Sequence, residues 1–125
     1  MSPRRATDPA AARAALAAWA ADPEGASRAT VGTAVRFTLE LLADTAPGGT
    51  VEVRVPPHGV VQCVAGPRHT RGTPPNVVET DATTWLQLVT GRRSWADAFG
   101  SGAVRASGNR ADLTAYLPLP GTVER

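Results

Sequence analysis

The apolar positions change their period along the chain. Val31, Ala34, Val35, Thr38, Leu39 and Leu42 recur at helical spacing, while Arg36 and Glu40 stand four apart on another face as an i,i+4 pair. This predicts a helix that starts after Ser27, reaches about Ala43 and is ended by Pro47-Gly48-Gly49. An earlier helix runs from Pro9 to about Asp22. Asp8 is its cap, Pro9 its first residue and Pro23 its stop. Its large apolar residues are Leu16 and Trp19, one turn apart, so it is expected on the surface with a narrow alanine stripe. From Gly49 the period becomes two. Val51, Val53 and Val55 alternate with Thr50, Glu52 and Arg54, a strand with one buried and one wet face. Pro56-Pro57-His58-Gly59 turns the chain, and residues 60–64 form the antiparallel partner. A polar loop over 66–75 leads to a short strand at 77–79. Asp81 caps a helix reaching about Thr90, closed by Gly91. Ser94 with Asp97 opens a short helix ending at Phe99-Gly100, and 103–107 is a strand. Asn109 with Asp112 opens a last helix, which Pro118 stops.

This order predicts an α+β fold: a four- to five-stranded, mostly antiparallel sheet with helices packed on one face. The first three strands are expected as an antiparallel meander, with the fourth returning beside the first. The whole of 1–125 reads as one domain, with 1–7 outside the fold, helices over 8–46, and the sheet and helix layer over 49–119. A chain of 125 residues can build such a core without disulfides or metal.

Composition removes several kinds of chemistry. All 13 basic residues are arginine, which excludes a lysine Schiff base and a Walker lysine. The net charge is +2 and the arginines are scattered, so no nucleic-acid groove is expected. The single cysteine, Cys63, allows no internal disulfide and fits a reducing, cytoplasmic compartment. The alanine-rich stretch 10–21 is broken by Arg13 and is too short for a membrane span, so no stable membrane insertion is expected. Asp8-Pro9 also spoils it as a signal peptide.

The familiar catalytic motifs fail. Gly100-Ser101-Gly102 begins like a dinucleotide loop, but Arg105 stands where the third glycine belongs. No Gly-x-Ser-x-Gly elbow, paired CxxC or His-Glu-x-x-His occurs. His58, Cys63, His69 and Glu79 are zinc-type ligands, yet none has preorganising spacing, and Cys63 reads as a small buried hydrophobe among valines. No metal and no cofactor are expected. Arg68-His69-Thr70-Arg71 is the densest polar stretch; it reads first as a solvated loop and second as an anion-binding loop using Arg68, His69 and Arg71. Trp85, Leu86 and Val89, then Trp95 and Phe99, then Leu113, Tyr116 and Leu117 gather apolar bulk on successive helices. Such residues serve equally as packed core or as the wall of a lipid cavity.

The stretch Val77-Val78-Glu79-Thr80-Asp81-Ala82-Thr83-Thr84-Trp85-Leu86-Gln87-Leu88-Val89-Thr90-Gly91 resembles the sterol carrier protein 2-like family, in which a strand leads into a helix ending in glycine. Ser94-Trp95-Ala96-Asp97-Ala98-Phe99 is similar to that family's next short helix. Gly102-Ala103-Val104-Arg105-Ala106-Ser107-Gly108 is similar to its following strand, and 110–117 to the helix after that. The resemblance covers about 49–119 and is closest to stand-alone actinobacterial sterol-carrier-like proteins. It implies a five-stranded sheet, helices over it and an apolar tunnel, without catalysis by the domain itself. Only four strands are read here, so the family's fifth is absent or lies near 119–123, and the family's C-terminal helical extension has no counterpart after Pro120.

On that resemblance the expected function is non-catalytic binding of an apolar small molecule, whether lipid, fatty acid or sterol. Val53, Val61, Trp85, Leu86, Val89, Trp95, Phe99 and Leu117 would line the pocket. The alternative is an interaction module, with a homodimer as candidate assembly, whose core is filled. A third reading is a small enzyme using the Arg68 to Arg71 loop with His58 or His69.

Overall fold

The computed structural model describes residues 7–66 and 75–122. Its elements are α1 (Pro9–Ala21), α2 (Arg28–Thr45), β1 (Val51–Val55), β2 (Gly59–Cys63), β3 (Asn76–Thr80), α3 (Ala82–Val89), α4 (Trp95–Gly100) and β4 (Val104–Ser107), followed by a 3-10 turn at Thr114–Tyr116. All four helices start where a short polar side chain can take up a free backbone N–H. Asp8 accepts from Ala11, Ser27 from Thr30, Asp81 from Thr84 and Ser94 from Asp97.

The strands form one mixed sheet in the order β2-β1-β3-β4. β1 pairs antiparallel with β2 and β3 antiparallel with β4, whereas β1 and β3 run parallel. The expected meander is therefore corrected: β3 lies beside β1, not β2, and β4 joins β3 instead of the first strand. The physical reason is connection length. β2 ends next to the start of β1, and β3 begins after twelve intervening residues on the other side of that start. A tight hairpin would have held β3 against β2.

Register sorts the side chains. Val51, Val53, Val55, Val61, Cys63, Val78, Val104 and Ala106 share the face that packs on the helices, where they join Val35, Leu39 and Leu42 of α2 and Trp85, Leu86, Leu88 and Val89 of α3 in one apolar cluster. Glu52, Arg54, Val60, Gln62, Val77, Glu79 and Arg105 occupy the other face, which stays open. α1 lies outermost. It buries Ala12, Leu16, Trp19 and Ala20, as the alanine stripe implied. Its C-terminal end is tied to the α3–α4 connection, because the Arg92 guanidinium lies 5.1 Å over the Trp19 ring and donates to the Ala20 carbonyl at 2.7 Å.

The expected last helix is the second correction: only the 3-10 turn forms. Asp112 Oδ1 accepts from the N–H of Thr114 two residues on, which closes a local turn instead of a helical one. The Arg110 N–H is taken by Asn76 Oδ1, while Asn76 Nδ2 donates to the Thr50 carbonyl. That clamp needs Gly108, at φ 103°, where a Cβ would stand 2.3 Å from the Pro75 carbonyl oxygen. Beyond it Leu113 and Leu119 are fully buried, and the Leu119 N–H and Thr122 hydroxyl both donate to the Val89 carbonyl. Residues 119–122 are a turn and not a strand, so four strands are present among the described residues. Residues 1–6, part of the segment expected outside the fold, and Val123 lie outside the described residues.

Candidate functional site

Four of the eight expected pocket residues sit in the centre of the apolar cluster. Val53, Trp85, Leu86 and Val89 each have 0% exposure. Trp85 carries a polar atom into this interior, and α2 provides for it. The Trp85 Nε1–H donates to Thr38 Oγ1 at 2.8 Å, and the Thr38 hydroxyl is held by the Ala34 and Val35 carbonyls of its own helix. The indole is thus bridged to α2 with its hydrogen bond satisfied. Val61, Trp95 and Leu117 are half-buried and pack against the margin of the same cluster. Phe99 stands apart from it: 51% exposed, it stacks on Trp95 with ring centroids 6.3 Å apart and planes 7° from parallel.

Thr38 bonds one of the buried four, and Leu39, Leu42, Leu113 and Leu119 belong to the same buried cluster. α2 showed its share through helical spacing. The polar role of Thr38 carried no signal in sequence, since the pair spans 47 residues.

Among the described residues the zinc-type side chains, His58, Cys63 and Glu79, are dispersed. Cys63 faces the helices, whereas Glu79 lies on the open face opposite Arg105. His58 belongs to the turn at the other end of β2. Burial pushes the Cys63 thiol up to about 11, so the protonated form prevails at neutral pH. Arg68, His69 and Arg71, the expected anion-binding loop, lie outside the described residues.

Clefts lie on and beside the open face of the sheet. One, of about 290 Å³, is lined by Pro56, Thr80, Asp81, Gly102 and Ala103 together with Glu79 and Arg105. Another, of about 220 Å³, shares Glu79 and Arg105 and adds Val77, Ala106 and Ser107. Their charges are mutually engaged: Arg54 bonds Glu52 and reaches Glu79, which accepts from Arg105 at 2.8 Å. The ladder ties β1, β3 and β4 together across this face by paired charges. The cross-strand opposition of Glu79 and Arg105 was hidden in the sequence, because the pairing of β3 with β4 had to be known first.

No helix among the described residues is long and apolar enough to cross a membrane. No curated protein matches the chain. A family of bacterial SCP orthologues does match, over residues 27–119. The matched span starts at the Ser27 cap of α2, takes in the entire sheet, α3, α4 and the 3-10 turn, and ends at buried Leu119. By this match, which leaves out α1 but includes α2, the sheet, α3 and α4, the chain belongs to the bacterial SCP ortholog family.

Proposed function

We propose that the chain is one non-catalytic domain that binds an apolar small molecule, a lipid, fatty acyl chain or sterol, beneath its helix layer. The observation that carries this reading is the family membership over residues 27–119. The gradation of exposure supports it. Phe99 is exposed, Trp95, Val61 and Leu117 are half-buried, and Val53, Trp85, Leu86 and Val89 are sealed. In this reading a ligand meets the outer group first and reaches the inner four when the helix layer opens. Opening costs about 24 cal/mol per Å³ of void until the ligand fills it. Affinity then comes from buried ligand area at about 25 cal/mol per Å², less the ordering cost. The setting that fits the single thiol is the reducing cytoplasm.

Titration with a fluorescent fatty acid tests the reading. The expected result is saturable quenching of tryptophan emission at about one ligand per chain, weakened in Trp95→Ala. Absence of binding by any fatty acid, acyl-CoA or sterol counts against it.

One observation favours a second reading, an interaction or dimerisation module with a filled core. The four inner residues have no exposed surface, and the Trp85 indole is already hydrogen-bonded. A stable homodimer that ignores lipids is the outcome this reading expects. Native mass spectrometry without detergent reports retained ligand and subunit count together.

A further inference from the structure

Arg28, Gly32 and Arg36 follow one another at four-residue intervals along α2, so they lie on one ridge with a glycine between two guanidinium-bearing residues. A glycine inside a helix is destabilising relative to alanine, and Gly32 has no positive φ that would require it. What it supplies is room. A Cβ on residue 32 would stand 3.0 Å from Nδ1 of His58 and 3.1 Å from Nη1 of Arg36. The imidazole comes from the turn between β1 and β2, and the guanidinium leans back toward the N-terminus of its helix, as helical side chains do. Among the described residues Arg36 forms no ion pair with Glu40, which corrects the i,i+4 pair read from spacing; its guanidinium is spent on the notch instead.

Among the described residues these basic groups form no ion pair. Arg54, Arg93 and Arg105 each meet a carboxylate. Among the described residues no carboxylate lies within ion-pairing distance of Arg28, Arg36 or His58. Arg28 also occupies the first turn of α2, which carries no acidic residue, so its charge adds to the positive end of the helix. His58 feels the result: its pKa is held below the ordinary value by burial first, then by the charges of Arg36 and Arg28. Like charges gathered in this way repel until an anion joins them.

We propose that the notch over Gly32 binds a phosphate-type oxyanion, with Arg28 and Arg36 as the two guanidinium donors and His58 as the imidazole donor. Two planar forks and one ring N–H suit the several oxygens of a phosphate better than a single carboxylate. The site does not depend on the lipid reading, since the same chemistry is offered by a free phosphate and by a phospholipid headgroup. Anion binding favours the imidazolium, so affinity rises as pH falls through the His58 pKa. The charged groups facing His58 in this process are Arg28 and Arg36 of α2.

The test follows the His58 ring protons by NMR, assigned with His58→Asn, while inorganic phosphate replaces chloride at constant ionic strength. A saturating shift is expected, with a His58 pKa raised by phosphate. The affinity should fall by roughly tenfold or more in the Arg28→Gln/Arg36→Gln double variant. Both arginines are exposed, so that variant should keep the wild-type melting temperature in chloride. Sedimentation with phosphatidylcholine vesicles, with and without phosphatidic acid, distinguishes the source. Capture only by the acidic vesicles, lost in the double variant, assigns the headgroup; saturable binding of inorganic phosphate assigns the free anion. A linear phosphate response that the double variant shares, with vesicle capture absent or equally unaffected, overturns the proposal.

Discussion

The hydroxyl of Thr38 performs two tasks at once: it is held by the carbonyls of Ala34 and Val35, and it accepts from the indole of Trp85. Thr38→Val keeps the shape and removes the acceptor, leaving a fully buried N–H without a partner. The expected loss is about 1–3 kcal/mol in denaturant unfolding, largely recovered if Trp85 is changed to Phe in the same chain. Cys63 offers a second residue-level check. Burial disfavours the thiolate and pushes the folded pKa up to about 11, above the ordinary thiol value. The stabilisation is therefore complete below the unfolded value and is lost as pH rises from there through the folded one. In native protein the thiol should resist a disulfide reagent at pH 8 and react on unfolding; fast reaction without unfolding would contradict the burial. That Cys63 is a buried hydrophobe was readable from its valine neighbours. The Thr38–Trp85 bond was not, because threonine at a helical core position looks like any other small filler.

At the scale of the element, the helix starts were the most legible feature. Asp8, Ser27, Asp81 and Ser94 all act as caps, and each cap depends on a hydrogen bond to a residue three positions on. Asp81 bonds both the N–H and the hydroxyl of Thr84, at 2.7 and 3.1 Å. Asp81→Ala should cost about 1 kcal/mol of stability, with a range of about 0.5–2, whereas Asp81→Asn should cost less. Thermal and denaturant midpoints measure it. The one failure among helices has a reason of the same local kind. Asn109 and Asp112 resemble an opening pair, but Asp112 turns its side chain to Thr114, and Asn76 of β3 takes the Arg110 N–H. The second partner is 34 residues away, beyond the reach of any capping pattern.

Across the whole molecule, the three tryptophans report on three depths. Trp19 is 2% exposed beneath the Arg92 guanidinium, Trp85 is 0% exposed, and Trp95 is half-buried under Phe99. Acrylamide should therefore quench the emission heterogeneously, with an accessible component that Trp95→Phe removes. Uniform quenching of all three would mean that the helix layer opens far more readily than its packing implies. Residue order alone determined the alternation of β1, the amphipathic face of α2, the placing of the caps and the apolar bulk of α3. Each of these depends on neighbours within about one or two helical turns, or on the two-residue period of a strand. Only the tertiary structure decided that β3 runs parallel beside β1, that Glu79 meets Arg105, that Phe99 is left outside the core and that His58 settles over Gly32. Those pairings join distant segments. Their outcome rests on competition for burial and on connection length, which no local period records.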